Sequence, residues 1–443
     1  MSGRIAIGSG SAYADDRVEP AFRLAATGRV DYLAFDCLAE RTLALAQVRR
    51  RQDPGGGQDR RIGQVVSGLA NYLASGRRVV GSFGSANPDA AAADTMDALR
   101  EADLAGVRVG VVRGDDVLQQ VLAADLDLPE MGRRAGELRE RIVCANAYIG
   151  AESIVAALEA DAGFILGGRF ADPSLFVGPI CHELGWALDD WPRLGSATLV
   201  GHLLECGVHG AGGNFEDPPF RLVPDPHDLG LPYAEMAGED DIVISKTPGS
   251  GGAIDERVVK TQLLYEIHDP AAYLTPDVTA DFSQVTVAEV GPDRVRVGGA
   301  GGRRRPATLK VLVGLDLGWK AVGEISYAGP GCLDRARRGE EIVRRRLAGL
   351  GPAVEELRCD LVGLNSVAGG VVAGGPPPEV RLRVAARCAT RPAAEQVVYE
   401  SELLYFGPAG AGGATGSVVP LLGVTPAYLP RSEVRIETEL LVS

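Results

Sequence analysis

The first 180 residues alternate between short apolar runs and longer segments in which apolar residues recur every three or four positions. Each apolar run ends in a polar or glycine-rich turn, and the runs lie at 4–10, 30–36, 78–85, 107–116, 141–148 and 162–169. Near-continuous apolar strands that alternate with helices are typical of a parallel sheet covered on both faces. The pattern therefore predicts an α/β fold with a mostly parallel, doubly wound, Rossmann-like sheet. A barrel-like closure is the alternative.

Changes in this pattern divide the chain into three predicted segments. Residues 1–180 form an α/β domain whose strand ends face the candidate site, and residues 181–352 form a second α/β segment with the Gly-rich loop 247–252. Residues 353–443 form a smaller C-terminal α+β module, with a glycine- and proline-rich loop at 368–378. Short exposed strands in such a module favour pairing with a neighbour, so we expect a homo-oligomer.

Composition narrows the class of protein. The 443 residues carry a formal net charge of −14, which argues against nucleic acid, because binding phosphates requires a basic face. No apolar run is long enough to span a membrane, and the first residues lack the pattern of a secretory signal. The seven cysteines are dispersed and are expected to be free thiols. We therefore expect a cytoplasmic protein.

The stretch GHLLECG, at 201–207, places titratable side chains at helical spacing. His202 and Glu205 share one face of the predicted helix, Cys206 lies in its last turn, and Gly207 follows. A zinc site, a catalytic face and ordinary packing at a helix end all fit this pattern, but zinc needs a third ligand that the sequence does not locate. We expect no metal. We predict that His202 is the general acid or base and that Glu205 orients it.

The last strand of the first segment ends in GGRFADPS, at 167–174. Arg169 follows two glycines at the strand end, and Asp172 is placed to cap the next helix. Sites in open α/β sheets gather at the carboxyl ends of strands, where an arginine can bind a carboxylate or phosphate in bidentate fashion. We therefore predict that Arg169 and Asp172 belong to the catalytic site and that Arg169 binds a substrate carboxylate. An ion pair that only fixes the loop is the alternative.

Two glycine-containing turns are candidates for binding coenzyme phosphates. SKTPGSGG joins a strand to a helix, so free backbone N–H groups at the helix start can meet an anion. IAIGSGSAY contains part of a dinucleotide-binding turn, although the third glycine of that pattern is missing. Simple turns are the alternative for both. The candidate cofactor-binding residues are Lys246, Gly249, Ser250, Gly251, Gly252, Ser9 and Gly10.

Several longer blocks of the chain resemble one protein family. The blocks are FDCLAERTLALAQ, ANAYIGAESIVAALEA, GGRFADPSLFVGPICHELGW, GHLLECG, KTPGSGG, LLYEIHDPAAYLTPDVTADF and GEISYAGPG. They are similar to the acyclic terpene utilisation protein family (AtuA-like), in its shorter bacterial form. The resemblance implies an α/β protein in the bacterial breakdown of acyclic terpenes through branched acyl-CoA intermediates. It implies no catalytic residues.

Residues and resemblance together lead to one functional hypothesis. We expect an enzyme that acts on a branched acyl-CoA or a related 3-hydroxy or unsaturated acyl substrate, as a hydratase/dehydratase or carbon–carbon lyase. Coenzyme A is then part of the substrate. The alternatives are a tailoring enzyme of specialised metabolism that acts on another carbonyl substrate, and a non-catalytic partner subunit of an acyl-CoA enzyme.

Overall fold

The computed structural model describes residues 3–367, 369 and 377–443. Most of the predicted loop at 368–378, namely residues 368 and 370–376, lies outside the described residues. Contacts along the chain divide it into two compact units, residues 1–313 with 424–443, and residues 314–423. This division by contacts differs from the three segments inferred from the sequence, which remain a prediction. No helix in the described part has the length and apolar character needed to cross a membrane.

Helices and strands alternate through the chain. The α-helices are α1 Glu19–Ala26, α2 Glu40–Gln52, α3 Ile62–Gly68, α4 Ala70–Ala74, α5 Pro88–Glu101, α6 Leu118–Ala123, α7 Glu152–Glu159, α8 Ser174–Leu184, α9 Trp191–Leu204, α10 Glu256–Leu263, α11 Cys332–Leu347 and α12 Arg391–Glu402. The strands up to residue 246 are β1 Ile5–Ser11, β2 Tyr32–Phe35, β3 Arg78–Gly81, β4 Arg108–Arg113, β5 Asp127–Leu128, β6 Arg133–Arg134, β7 Ile142–Ala147, β8 Phe164–Leu166, β9 Pro232–Gly238 and β10 Asp241–Lys246. The later strands are β11 Tyr273–Leu274, β12 Thr279–Asp281, β13 Thr286–Gly291, β14 Arg294–Gly298, β15 Gly301–Arg303, β16 Thr308–Ala328, β17 Val354–Val362, β18 Glu379–Cys388, β19 Ala411–Pro430 and β20 Glu437–Val442.

The first unit is built on a ten-stranded mixed sheet in the order β13-β14-β10-β9-β1-β2-β3-β8-β4-β20. The five strands from β1 to β4 in this order pair in parallel, whereas the strands on both sides of them pair antiparallel. The expectation of an α/β fold is confirmed, and the parallel pairing is confirmed for this central part. The doubly wound, Rossmann-like arrangement stays a prediction, because antiparallel strands extend the sheet at both edges.

Alternate residues of the central strands pack into two separate cores. Ile7, Ala34 and Ile165 contribute to one core together with residues of α8 and α9. Leu33 and Phe164 contribute to the other, with residues of α1, α3 and α5. Side chains of a strand point alternately to its two faces, so apolar residues at successive positions require helices on both sides. This explains why the strands are apolar along their whole length.

Two strands lie elsewhere than the sequence pattern suggested. The run at 141–148 forms β7, which is not part of the ten-stranded sheet but pairs with β16. There Tyr148 N donates to Lys310 O at 2.9 Å. The final strand, β20, joins the main sheet beside β4 and not the C-terminal module. Pairings between strands so distant in sequence leave no signal in local periodicity.

The second unit has the element order β-α-β-β-α-β, formed by the end of β16, α11, β17, β18, α12 and the start of β19. The strand order is β17-β18-β16-β19, which is the split β-α-β arrangement. Along β18, Val380, Leu382 and Val384 are buried, whereas Arg381 is exposed and Arg383 half-buried. Such alternation is typical of a sheet with helices on one face only, and α11 and α12 both pack on β18. The α+β module was predicted for residues 353–443, whereas this unit spans residues 314–423, so the predicted module stays a prediction.

Candidate active site

A cavity of about 720 Å³ lies at the carboxyl ends of the parallel strands of the first unit. Its wall includes Tyr13 beyond β1, Asp36 directly after β2, and Arg169 beyond β8. The C-terminal end of α9 and the first residues of β16 complete the wall. Parallel strands end at the same edge of a sheet, so the residues that follow them converge there. The expectation that strand-end residues meet at one place is thus met by Asp36 and Arg169.

Arg169 is the central cation of the cavity. Its side chain is 3% exposed, and it forms an ion pair with Asp172 Oδ1 at 2.5 Å. Its backbone N–H donates to Asp115 Oδ2 at 2.9 Å, which fixes the turn after the strand. Among the described residues, its buried Nε atom has no hydrogen-bond partner. The predicted Arg169–Asp172 pair therefore exists, and it leaves one guanidinium donor for a ligand.

A second group of polar side chains surrounds the ring of Tyr148. The Arg169 guanidinium carbon lies 4.2 Å and the Lys310 Nζ atom 4.8 Å from the ring centroid. The Tyr148 hydroxyl donates to Glu40 Oε1 at 2.7 Å, and Lys310 Nζ donates to the same oxygen at 2.9 Å. Burial alone would raise the pKa of Glu40, but these two donors lower it, so Glu40 is ionised. Tyr148, Glu40 and Lys310 were absent from the site predicted from the sequence.

Asp36 is a fully buried carboxyl group on the cavity wall. Burial, together with the charge of Asp172, raises its pKa well above the usual range, although Arg169 opposes this. Its Oδ1 atom accepts hydrogen bonds from Ser82 Oγ at 3.0 Å and from Leu38 N at 3.3 Å. Because both partners donate to Oδ1, the proton of the neutral acid lies on Oδ2. Asp36 was not among the catalytic residues predicted from the sequence, although it ends the apolar run at 30–36.

Glu205 is the second buried acid of the cavity. It directly follows α9 and is 9% exposed, and burial raises the pKa of its carboxyl group well above the usual range, helped by the charges of Asp172 and Glu266. Its Oε1 atom lies 3.3 Å from His202 Nδ1. Its Oε2 atom is buried and has no hydrogen-bond partner in the described part of the chain. Glu205 thus borders the cavity and holds one buried carboxyl oxygen without a partner in the described part of the chain.

His202 does not line the cavity but lies behind Glu205. It is 2% exposed, and its ring packs against Tyr273 and Phe282, at centroid distances of 5.4 and 5.9 Å. Burial lowers the pKa of His202 to about 4. The shared helix face predicted for His202 and Glu205 therefore holds, but only Glu205 and the following Cys206 border the cavity.

The loop predicted to bind coenzyme phosphates lies away from the cavity wall. Lys246 is buried, and its Nζ atom donates to Ser250 O at 2.8 Å and lies 3.3 Å from Asp293 Oδ2. The next helix, α10, begins after Asp255, which accepts hydrogen bonds from two backbone N–H groups of the first turn. A carboxylate of the chain itself therefore satisfies donors that a phosphate would use.

The glycines of both candidate turns have close neighbours. A Cβ atom at Gly251 or Gly252 would lie 2.1 Å from Asp225 O or 2.3 Å from Ala211 O, whereas Gly249 has open space but a φ of +72°. A Cβ atom at Gly10 would lie 2.5 Å from the Phe35 ring. Ser9 is fully buried and, like Gly10, does not line the cavity. Close packing therefore accounts for Gly10, Gly251 and Gly252, and binding of a cofactor by these turns stays a prediction.

No group of three or more His, Cys, Asp or Glu side chains within the described residues is arranged to hold a metal ion. Asp172, Glu40 and Glu205 are instead paired with Arg169, Lys310 and His202, and burial raises the pKa of Asp36. The arrangement provides two carboxyl groups with raised pKa values and one buried guanidinium at the wall of one cavity. Such groups can exchange protons with a ligand and bind an oxygen atom that develops negative charge.

Fold and cavity define a mixed α/β protein with acid groups at the ends of its parallel strands. A model of the acyclic terpene utilisation family protein AtuA matches residues 5–440, which is nearly the whole chain. The chain therefore belongs to the AtuA family, as the resemblance of its sequence blocks indicated, and the family implies a role in acyclic terpene utilisation. Neither a curated protein nor a solved structure matches the chain.

Proposed function

We propose that this protein is an enzyme that interconverts a branched 3-hydroxyacyl thioester of coenzyme A and the corresponding 2-enoyl thioester by removal or addition of water. The observation that carries the proposal is that two buried carboxyl groups with raised pKa values, Asp36 and Glu205, border one cavity with Arg169. Removal of water from a 3-hydroxyacyl group requires one group that takes a proton and another that gives one.

The lining of the cavity supports an acyl substrate with an apolar chain. Leu38, Val208, Leu274 and Leu309 contribute apolar surface beside the polar cluster. A pocket that is mainly apolar with a few converging polar groups is typical of a site for a small organic molecule. Coenzyme A enters as part of this substrate. Binding of its phosphates by Lys246 and the loop 247–252 stays a prediction from the sequence and is not needed for the proposed reaction, because those residues do not line the cavity.

Each polar group has one role in the reaction. Arg169 donates from Nε to the thioester carbonyl oxygen, or to a substrate carboxylate, and so stabilises the charge that develops when C2 loses its proton. Glu205 takes the C2 proton at Oε2 and in the same step gives up the proton that it already carries, because a neutral carboxyl group cannot hold a second proton. Asp36 gives its Oδ2 proton to the C3 hydroxyl as the C3–O bond breaks, so that water leaves. The electron pair of the C2–H bond becomes the second bond between C2 and C3.

Turnover of a methyl-branched 3-hydroxyacyl-CoA and of its 2-enoyl counterpart tests the proposal, with mass spectrometry to detect loss or gain of one water. We expect interconversion by the wild type. Glu205→Gln and Asp36→Asn should each lower kcat by about 10²-fold or more, which is the size of a general acid–base contribution. Glu101→Gln, an exposed site on α5, is the matched control and should leave kcat unchanged.

Other products would identify the alternatives. Two shorter carbonyl products instead of water loss would assign carbon–carbon cleavage, and turnover of only non-thioester carbonyl compounds would favour a tailoring enzyme. Absence of both turnover and thermal stabilisation by branched acyl-CoAs would contradict the proposal and favour a non-catalytic partner subunit.

A further inference from the structure

His202 connects the acid of the cavity to the end of a neighbouring helix. Its Nε2 atom lies 3.0 Å from Gln262 O and 3.2 Å from Leu263 O, at the C-terminal end of α10. The last carbonyl groups of a helix have no partner within the helix. Because carbonyl oxygens only accept hydrogen bonds, Nε2 carries the hydrogen of the ring.

This assignment fixes the role of the other ring nitrogen. In a neutral imidazole with its hydrogen on Nε2, Nδ1 is an acceptor. The neighbour of Nδ1 is Glu205 Oε1, at 3.3 Å, so a hydrogen bond between them requires the proton to lie on Oε1. The remaining oxygen, Oε2, is then the carbonyl oxygen of a neutral acid and has no partner in the described part of the chain. The carboxyl group thus offers the cavity an acceptor, although it is protonated.

We propose that His202 is a positioning residue that receives a proton through Glu205. When Oε2 takes the C2 proton of the substrate, the Oε1 proton passes to His202 Nδ1. The carboxyl group gains one proton and loses one, so it stays neutral, and the positive charge appears on the imidazole. In hydration the same transfers run in reverse, whereas after dehydration the resting state returns when water carries a proton from the imidazolium, through Glu205, to the Asp36 carboxylate. This inference rests on the proposed dehydration, because it assigns the step in which Glu205 accepts a proton.

Surrounding groups favour a charged ring at this place for the short time of the reaction. The negative end of the α10 dipole and two carbonyl oxygens face Nε2, and the charge of Glu266 also favours the imidazolium. Burial opposes this charge and returns the ring to its neutral form. The other titratable or charged groups that act on the His202–Glu205 pair are Arg169, Asp172, Cys206 and Tyr273.

Spectroscopy of the resting protein tests the proton arrangement without any substrate. Nitrogen-15 NMR at pH 7 should show His202 with a hydrogen on Nε2 and none on Nδ1. Infrared difference spectra should show the carbonyl stretch of a protonated carboxyl group that is absent from Glu205→Gln. A hydrogen on Nδ1, or a missing band, would overturn the inference. These two spectra test the proton arrangement independently of turnover. Absence of acyl thioester dehydration would contradict the proposed function but not the proton arrangement.

Kinetics separate proton transfer from a purely structural role. In His202→Gln, the amide can still donate to the carbonyl groups of α10, so we expect the fold to be kept. The amide cannot take up a proton, so the proton transfer from Glu205 to residue 202, the relay, is lost. We expect a melting temperature close to that of the wild type, a kcat lowered by about 10²-fold with KM within about threefold, and loss of the pH dependence of kcat that belongs to this pair. His268→Gln, at an exposed histidine, is the matched control.

A folded His202→Gln protein with kcat within about threefold of the wild type would show that the histidine only caps α10. That result would overturn the relay. If this variant does not fold, the infrared band of Glu205 and the nitrogen-15 signals of His202 in the wild type still test the proposed proton arrangement.

Discussion

Arg169 stacks on Tyr148, with the guanidinium carbon 4.2 Å from the ring centroid. The planar guanidinium stacks on the aromatic ring and pairs with Asp172 through a fork of several N–H donors, whereas a lysine ammonium has neither the plane nor the fork. We therefore expect Arg169→Lys to lower kcat/KM by about tenfold or more, although the charge is kept. Steady-state kinetics measure this. Arg139→Lys, at an exposed position, is the control, and equal values for both variants would contradict a binding role of the guanidinium.

The pair of His202 and Glu205 predicts an unusual dependence of stability on pH. The folded pair holds one proton from about pH 4 up to the raised pKa of Glu205. In the unfolded chain the two groups hold two protons below about pH 4.3, one up to about pH 6.5 and none above. The contribution of the pair to the free energy of unfolding is therefore constant between about pH 4.3 and about pH 6.5. It falls as the pH rises above about 6.5, because only the folded state still holds the proton.

The Glu205→Gln variant should not lose stability above about pH 6.5, because an amide can donate to His202 Nδ1 at every pH. The difference in unfolding free energy between variant and wild type should move in favour of the variant by up to about 1.4 kcal/mol per pH unit above about pH 7. Urea denaturation of both proteins at several pH values measures these unfolding free energies. A difference that stays constant with pH would show that Glu205 is ionised in the folded protein.

Gly10 tests whether the first turn is needed for packing. A Cβ atom at this position would lie 2.5 Å from the Phe35 ring, so Gly10→Ala should lower the unfolding free energy by about 1–3 kcal/mol. Gly63→Ala on α3 is the control, since no atom lies within 4 Å of the added methyl group, and alanine favours the helix by about 1 kcal/mol. Denaturant titration measures the unfolding free energies of the two variants and the wild type. A stable Gly10→Ala protein with weaker binding of acyl-CoA would instead support the predicted cofactor turn.

Lys246 tests the predicted phosphate loop. Its ammonium group is 4% exposed and bonds to Ser250 O and Asp293, so Lys246→Met should lower the melting temperature and leave the KM for an acyl-CoA within about twofold. Lys320→Met, at an exposed lysine, is the control for thermal stability. A KM raised by about tenfold or more with an unchanged melting temperature would instead support phosphate binding by Lys246.

The predicted homo-oligomer can be tested on the purified protein. β20 lies at one edge of the ten-stranded sheet and exposes Val442, so its backbone groups on the open side are available for pairing with a second copy. Light scattering at micromolar concentration should give a mass of at least two chains, and a two-fold symmetric dimer is the simplest form. A mass near the 46.4 kDa of one chain would contradict this expectation.

Local patterns in the sequence predicted the parts of the site that depend on neighbouring residues. Arg169 and Asp172 are three positions apart at a strand end, and their ion pair follows from that spacing. Glu205 was predicted from the helical spacing of GHLLECG, and it directly follows α9 on the wall of the cavity. These features rest on strand ends and helical spacing, which a single sequence contains.

Contacts between distant segments could not be predicted in this way. Glu40, Tyr148 and Lys310 meet because β7 pairs with β16, and no periodicity connects those two strands. The position of His202 behind Glu205 depends on α10, which packs against one side of α9. Helical spacing shows that two residues share a face but not which neighbour covers each of them. The end of a predicted strand at residue 148 was the one available signal for Tyr148.

The position of β20 has a consequence for the order in which the chain can fold as it is synthesised. The ribosome makes β4 early and β20 near the end of the described sequence, and the 110 residues of the second unit come between the two parts of the first. The second unit is continuous and can form while its neighbour still lacks an edge strand. Completion of the main sheet must therefore wait until residues 437–442 have been translated, and until then the edge of β4 remains open to chaperones and to mispairing.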